Sequence, residues 1–139
     1  MIFDECKSHC SKKQVVIVSE ENKMKHIAHN INYDTVYQFR IDGEIIPKNS
    51  PKKRCDYLLE NETKKVVYLI ELKGTNVEHA VDQIESTINI YRQKLSNYKI
   101  LPRIIYKSNT HGIHSSKVLL FKRKHSDSKI TTMVFEENI

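Results

Sequence analysis

The stretch CDYLLENETKKVVYLIELKG, residues 55–74, decides how this chain folds. Residues 55–60 are rich in aromatic and apolar side chains, 61–64 are polar, and 65–73 are β-branched or aromatic until Gly74 ends the run. Two such runs around a polar turn predict a β-hairpin. Side chains alternate along a strand, so Glu71 and Lys73 share a face with Val67 and Leu69, while Leu72 points to the other. With Asn61 set opposite Lys64, Asp56 falls opposite Leu69 and diagonal to Glu71, at a side-chain separation of roughly 7–8 Å. Two carboxylates at that separation can converge on one divalent cation.

After the hairpin, Thr75 and Glu78 have the spacing of a capping box. Val77, Ala80, Val81, Ile84, Ile88, Tyr91 and Leu95 then recur at helical spacing, predicting a helix to about Asn97. Residues 100–106 read as a strand and 108–116 as a loop. Residues 118–121 and 131–135 read as a closing hairpin. Before the residue 55–74 stretch, 1–13 read as an irregular start and 14–19 as a strand. Residues 20–30 read as a short helix, because Met24, Ile27, Ala28 and Ile31 have helical spacing. Residues 35–41 alternate as a strand, with Val36, Gln38 and Arg40 on one face and Tyr37, Phe39 and Ile41 on the other. Asp42 and Gly43 make a turn, and the proline- and lysine-containing residues 47–53 an exposed loop. The order predicts an α/β fold, a mixed central β-sheet with flanking helices, in a single domain over 1–139.

The chain has 139 residues and a net charge of +6. From Lys99 onward there are eight Lys or Arg against three acids. That surplus suits an anionic partner, although a solvated basic surface reads the same way. Lys107, Lys117, Lys122, Arg123 and Lys124 are the candidates for phosphate contact. No apolar run is long enough to cross a bilayer and no signal-peptide pattern is visible, so a cytoplasmic location is expected. Three cysteines, an odd number, argue for free thiols. Cys6, His9 and Cys10 are zinc-ligand types without a second ligand pair at zinc-finger spacing.

Asp56, then Glu71 and Lys73 at the end of an apolar strand, then a helix, resembles the PD-(D/E)XK nuclease superfamily, which includes restriction endonucleases. The resemblance covers about a quarter of the chain, residues 54–86, with Cys55 where the family name has proline. It implies a restriction endonuclease-like core. It also implies an Mg²⁺ (or Mn²⁺) ion held by Asp56, Glu71 and the backbone carbonyl of Leu72, with Lys73 as the catalytic lysine. Many members carry a glutamine on the following helix, and Gln83 stands there. A further acid before the first strand is common, and Glu20 or Glu21 are the candidates for it.

The chemistry agrees with that set. Hard cations prefer oxygen ligands. They acidify bound water and polarise a phosphoryl oxygen. A neighbouring lysine orients or deprotonates the water. The expectation is a Mg²⁺-dependent endonuclease acting on DNA, RNA not excluded, working as a homodimer or beside a partner subunit. Two other readings stand beside it. One is a non-catalytic nuclease-like module that binds nucleic acid or protein. The other is a housekeeping interaction protein in which Asp56, Glu71 and Lys73 are an ordinary ion pair on a solvated sheet face, and it predicts that Asp56 and Glu71 point to open solvent, far from each other. His79, one turn before Gln83, is a weaker phosphate candidate. His111 and His114 are weaker metal candidates, and Asp42 is read first as a turn residue.

Overall fold

A computed structural model describes residues 1–107 and 112–139. The fold is α/β, with two mixed sheets and two helices among the described residues. Its centre is the expected hairpin, β4 (Tyr57–Asn61) antiparallel to β5 (Val66–Lys73). Asn61 pairs with Val66 rather than with Lys64. The tighter sequence register is corrected because Asn61 turns its side chain inward on the loop, where Oδ1 accepts the Lys64 N–H, and Lys65 takes a positive φ of 56°. A slip of two residues keeps every side chain on its face. It moves Asp56 from the diagonal position to a place level with Glu71, because Tyr57 pairs with Ile70.

β3 (Val36–Arg40) lies antiparallel on the far side of β4, while β6 (Lys99–Tyr106) and β7 (Lys129–Thr132) continue the sheet parallel to β5. The sheet order is β3-β4-β5-β6-β7. Parallel neighbours need a crossover. Helix α1 (Val77–Ile90) makes it between β5 and β6, and α2 (Ser116–Lys124) between β6 and β7.

Two cores lie on the two faces of this sheet. Phe39, Leu58, Val67, Leu69 and Ile104 pack under Val77, Ala80, Val81 and Ile84 of α1, with Val118 and Phe121 of α2. On the opposite face Leu59, Ile70, Leu72 and Ile105 pack against Ile17, Met24 and Ala28 of a second sheet. That sheet contains β1 (Val16–Glu21), β2 (Met24–His29) and β8 (Val134–Asn138), in the order β1-β2-β8. The strand faces read from residues 35–41 hold: Tyr37, Phe39 and Ile41 join the helix-side core and Val36 the other.

Three elements differ from the sequence reading. Residues 20–30 form no helix. Asn22 and Lys23 adopt φ of 50° and 69°, the backbone of a two-residue hairpin loop, and β2 buries Met24, His26 and Ala28 in alternation. The buried histidine broke the apolar period of two. Residues 118–121 are helical, not a strand. Ser115 caps α2 by accepting from the Val118 N–H, and Val118 and Phe121 face inward while Leu119 and Leu120 stay exposed. Residues 131–135 are no single strand: Met133, at φ 59°, ends β7 and sends β8 into the other sheet beside β2.

Helix α1 is capped by Asn76 rather than Thr75, the Asn76 side chain accepting from the His79 N–H at 3.0 Å. It ends at Ile90, and the apolar stripe continues through turns to the buried Leu95. Asn76→Ala is expected to destabilise the protein by about 1 kcal/mol in chemical denaturation, the usual worth of an N-cap. Thr75→Ala is expected to leave stability unchanged, and an equal loss in both would put the cap at Thr75. The start of the chain is irregular, as expected, yet Ile2 and Phe3 are buried in the helix-side core.

Candidate functional site

Asp56 directly precedes β4, and its main chain is held from both sides. Its N–H donates to the Ile70 carbonyl at 3.1 Å, and its own carbonyl accepts the Ile41 N–H at 2.8 Å. Its side-chain Oδ2 accepts the Leu72 N–H at 2.8 Å. Glu71 and Lys73 lie on the helix face of β5, after Val67 and Leu69, where the apolar strand runs out beneath the start of α1. Asp56 is 8% exposed and Glu71 2%. The two carboxyl groups interact, the Asp56 charge raising the Glu71 carboxyl.

Burial is the main force on both groups. It pushes the Asp56 carboxyl up to about 6, with the charges of Glu21 and Asp42 adding to the shift and the Leu72 N–H opposing it. Burial and the neighbouring Asp56 raise the Glu71 carboxyl well above the ordinary range, and the Lys73 charge only partly offsets this. Glu71 Oε1 is buried with no hydrogen-bond partner. No ion pair joins Lys73 to either carboxylate among the described residues, so the surface ion-pair reading does not describe this geometry. The pair is inside, interacting, and short of positive charge.

Gln83 stands above the site on α1. Its Nε2 donates to the Arg54 carbonyl at 3.2 Å, while its Oε1 is buried and unpartnered. One turn on, Thr87 Oγ1 accepts the Cys55 N–H at 2.8 Å. These two contacts tie α1 to the segment that delivers Asp56. Beside them opens a cleft of about 180 Å³ lined by Lys53, Lys73, His79 and Gln83. The structure thus sets Asp56, Glu71 and Lys73 close to one another and puts Gln83 with Lys73 in the cleft, whose described lining includes neither carboxylate.

The Leu72 side chain packs into the opposite core. Among the described residues no group of three or more His, Cys, Asp or Glu is placed to hold a metal ion. The oxygens on offer are those of the two carboxylates, with the Gln83 amide oxygen on the neighbouring helix. All are hard oxygens, and two of the atoms lack a donor, which fits a hard divalent cation.

The basic candidates are arranged differently. Lys117 pairs with Asp82 of α1 at 3.0 Å, and Lys124 pairs with Glu85 at 2.8 Å, where His125 also binds. These lysines fasten α2 to α1. Lys122 and Arg123 lie exposed in the last turn of α2, and Lys107 is exposed just past β6. Asp42 pairs with Lys48 and Arg54, each at 3.0 Å, and does not join the carboxylates. Glu21 pairs with Arg40 at 2.7 Å. His9 bonds Glu44 at 2.6 Å rather than joining Cys6 and Cys10, and all three cysteines are free. His114 is exposed in a turn, and His111 lies outside the described residues.

Sequence reasoning passed over Lys53 and Thr87. The lysines of residues 47–53 marked an exposed loop, and nothing local showed that the last of them turns toward α1. Thr87 lies on the apolar stripe of the helix and reads as a core residue. No helix among the described residues is long and apolar enough to cross a membrane. No family model, curated protein or solved structure matches the chain.

Proposed function

We propose that this chain is a metal-dependent endonuclease that hydrolyses DNA phosphodiester bonds, on a restriction endonuclease-like core. Asp56 and Glu71 hold Mg²⁺ or Mn²⁺, and Lys73 positions or activates the attacking water. The observation that carries the reading is two buried carboxyl groups at level positions on neighbouring strands, with Glu71 Oε1 unpartnered and Lys73 lining a cleft with Lys53. An uncompensated buried charge costs several kcal/mol. A fold that keeps two at level positions has a use for them, and perturbed acids beside a cleft mark functional sites.

The bound ion supplies Lewis-acid polarisation of the phosphoryl oxygen and a water made easier to deprotonate. The chain's own groups do the rest. Asp56, fixed by the Leu72 N–H, presents its other oxygen with little freedom. Glu71 presents Oε1. The Lys73 ammonium donates to water or to a phosphoryl oxygen and offsets negative charge developing in the transition state. Gln83, anchored through Nε2, leaves Oε1 as a hydrogen-bond acceptor. Free thiols at Cys6, Cys10 and Cys55 agree with a cytoplasmic setting.

The test is supercoiled plasmid with Mg²⁺ or Mn²⁺. Nicked or linear product is expected, and EDTA is expected to abolish it. RNA and branched DNA are run in parallel. No cleavage of any form, together with no heat of metal binding, overturns the enzyme reading and leaves a nucleic-acid-binding module.

A further inference from the structure

The cleft beside the carboxylates is lined by more positive charge than one phosphodiester needs. The described residues that line it come from three elements: Lys53 from the loop before β4, Lys73 from the end of β5, and His79 and Gln83 from α1. His79 and Gln83 are one helical turn apart and so share a face. None of the described residues in this lining is acidic. Lys53 reaches Asp82 only at 3.8 Å with its side chain 63% exposed, and its ammonium is available to a ligand. His79 is exposed, and its side chain has no hydrogen-bond partner among the described residues.

The charges can be counted under the nuclease reading, on which this step rests. Asp56 and Glu71 balance one divalent ion. Lys73 matches the single charge of the phosphodiester being cut. Lys53 is left over as a charge, and His79 lines the same cleft.

We propose that Lys53 and His79 form an anion subsite that seats a second phosphate of the same strand, next to the one cleaved. The substrate is then a polynucleotide strand with consecutive phosphates, and an ester with one phosphate uses only half of the site. Lys53 acts as a point charge. His79 donates a ring N–H from the first turn of α1.

Two probes test this. Binding of a fluorescein-labelled oligothymidylate is followed by anisotropy in EDTA. Cleavage of the same oligonucleotide, and of thymidine 5′-(4-nitrophenyl phosphate), which holds one phosphodiester, is followed with Mn²⁺. Lys53→Ala is expected to weaken oligonucleotide binding about tenfold, with kcat changing less than about threefold. It also reduces the salt dependence of binding by about 0.7 in the log–log slope, the loss of one single-strand phosphate contact. His79→Ala is expected to weaken binding by about threefold to fivefold, as loss of one hydrogen bond does. Lys52→Ala removes the same charge from the same loop outside the cleft, and is expected to leave binding within twofold of wild type. Lys53→Ala is expected to cost cleavage of the one-phosphate ester less than it costs cleavage of the oligonucleotide.

Equal losses on both substrates, equal losses from Lys52→Ala and Lys53→Ala, or no binding of the oligonucleotide by the wild type would each overturn the subsite. If the wild type binds in a Lys53- and His79-dependent way but cleaves neither probe, the subsite stands and the nuclease reading falls.

Discussion

Glu71→Gln is expected to lower cleavage by on the order of 10³-fold while leaving the metal-free protein as stable as wild type or slightly more so. The two halves of that result have one cause. Glu71 is 2% exposed, its carboxyl is raised by burial and by Asp56, and its Oε1 has no partner. In the metal-free protein burial raises both carboxyls and Asp56 raises Glu71 further, which favours the neutral form of Glu71. Glutamine has the same shape and is also neutral, so nothing is lost in the metal-free fold. What is lost is the second negative oxygen ligand. Losing a single preorganised group at a reacting centre is worth about 10²–10³ in rate, and a metal ligand stands at the upper end. Initial rates with Mn²⁺ give the first half and thermal melting in EDTA the second. Calorimetry is expected to show metal binding by wild type and none by Glu71→Gln. Cleavage within tenfold of wild type would remove Glu71 from the site. A melting temperature several degrees lower would make its role structural.

The three residues that carry this prediction were legible because each sits in a strongly patterned segment. Lys73 and Glu71 end a run of β-branched residues, and strand alternation fixes their common face whatever the neighbours do. Asp56 was placed on the right face even though the register was off by two, since the side-chain period is two. The turn hid its own geometry. Nothing in residues 61–65 announces that Asn61 folds onto Lys64 and that Lys65 takes a left-handed backbone.

The errors elsewhere have the same physical root. A helix of nine residues and a strand of six each offer few periods to count. In β2 the buried partner of Met24 and Ala28 is His26, which is bonded to Glu137 at 2.7 Å beside Arg103. That inter-sheet cluster exists only in the folded chain, so a polar residue filled an apolar slot. The basic stretch was legible as charge and not as contact. Lys117 and Lys124 find Asp82 and Glu85 on a helix more than thirty residues away. The approach of Lys53 to the cleft is likewise a tertiary fact.

Metal affinity is expected to rise steeply with pH between about 5 and 7, and the metal is expected to stabilise the protein more at pH 8 than at pH 5. The sign follows from the direction of the carboxyl shifts. The Asp56 carboxyl lies at about 6 in the folded chain and near 3.8 when exposed. Below about 4 it is protonated in both states and has no effect on stability. Between about 4 and 6 the unfolded chain has released the proton and the folded chain still holds it. Folding therefore takes up a proton, and the metal-free protein loses stability as pH rises, by on the order of 3 kcal/mol across that window. Glu71 shifts in the same direction and extends the loss upward. A divalent ion competes for the same oxygens, so binding expels protons, and each one expelled makes apparent affinity up to about tenfold stronger per pH unit. Other carboxyls act oppositely. Asp42, Glu85 and Glu137 are held below their ordinary values by their cationic partners and favour the folded state as pH rises. The wild-type curve alone therefore mixes both signs, and the informative quantity is wild type minus Asp56→Asn in EDTA. That difference is expected to fall from pH 4 to pH 7 and then level. Titration of Mg²⁺ at pH 7 in buffers of different ionisation enthalpy is expected to show proton release from wild type and none from the double variant Asp56→Asn, Glu71→Gln. A flat difference curve would mean that the two carboxyls are ordinary. Pronounced proton release from the double variant would place the ion somewhere other than between them.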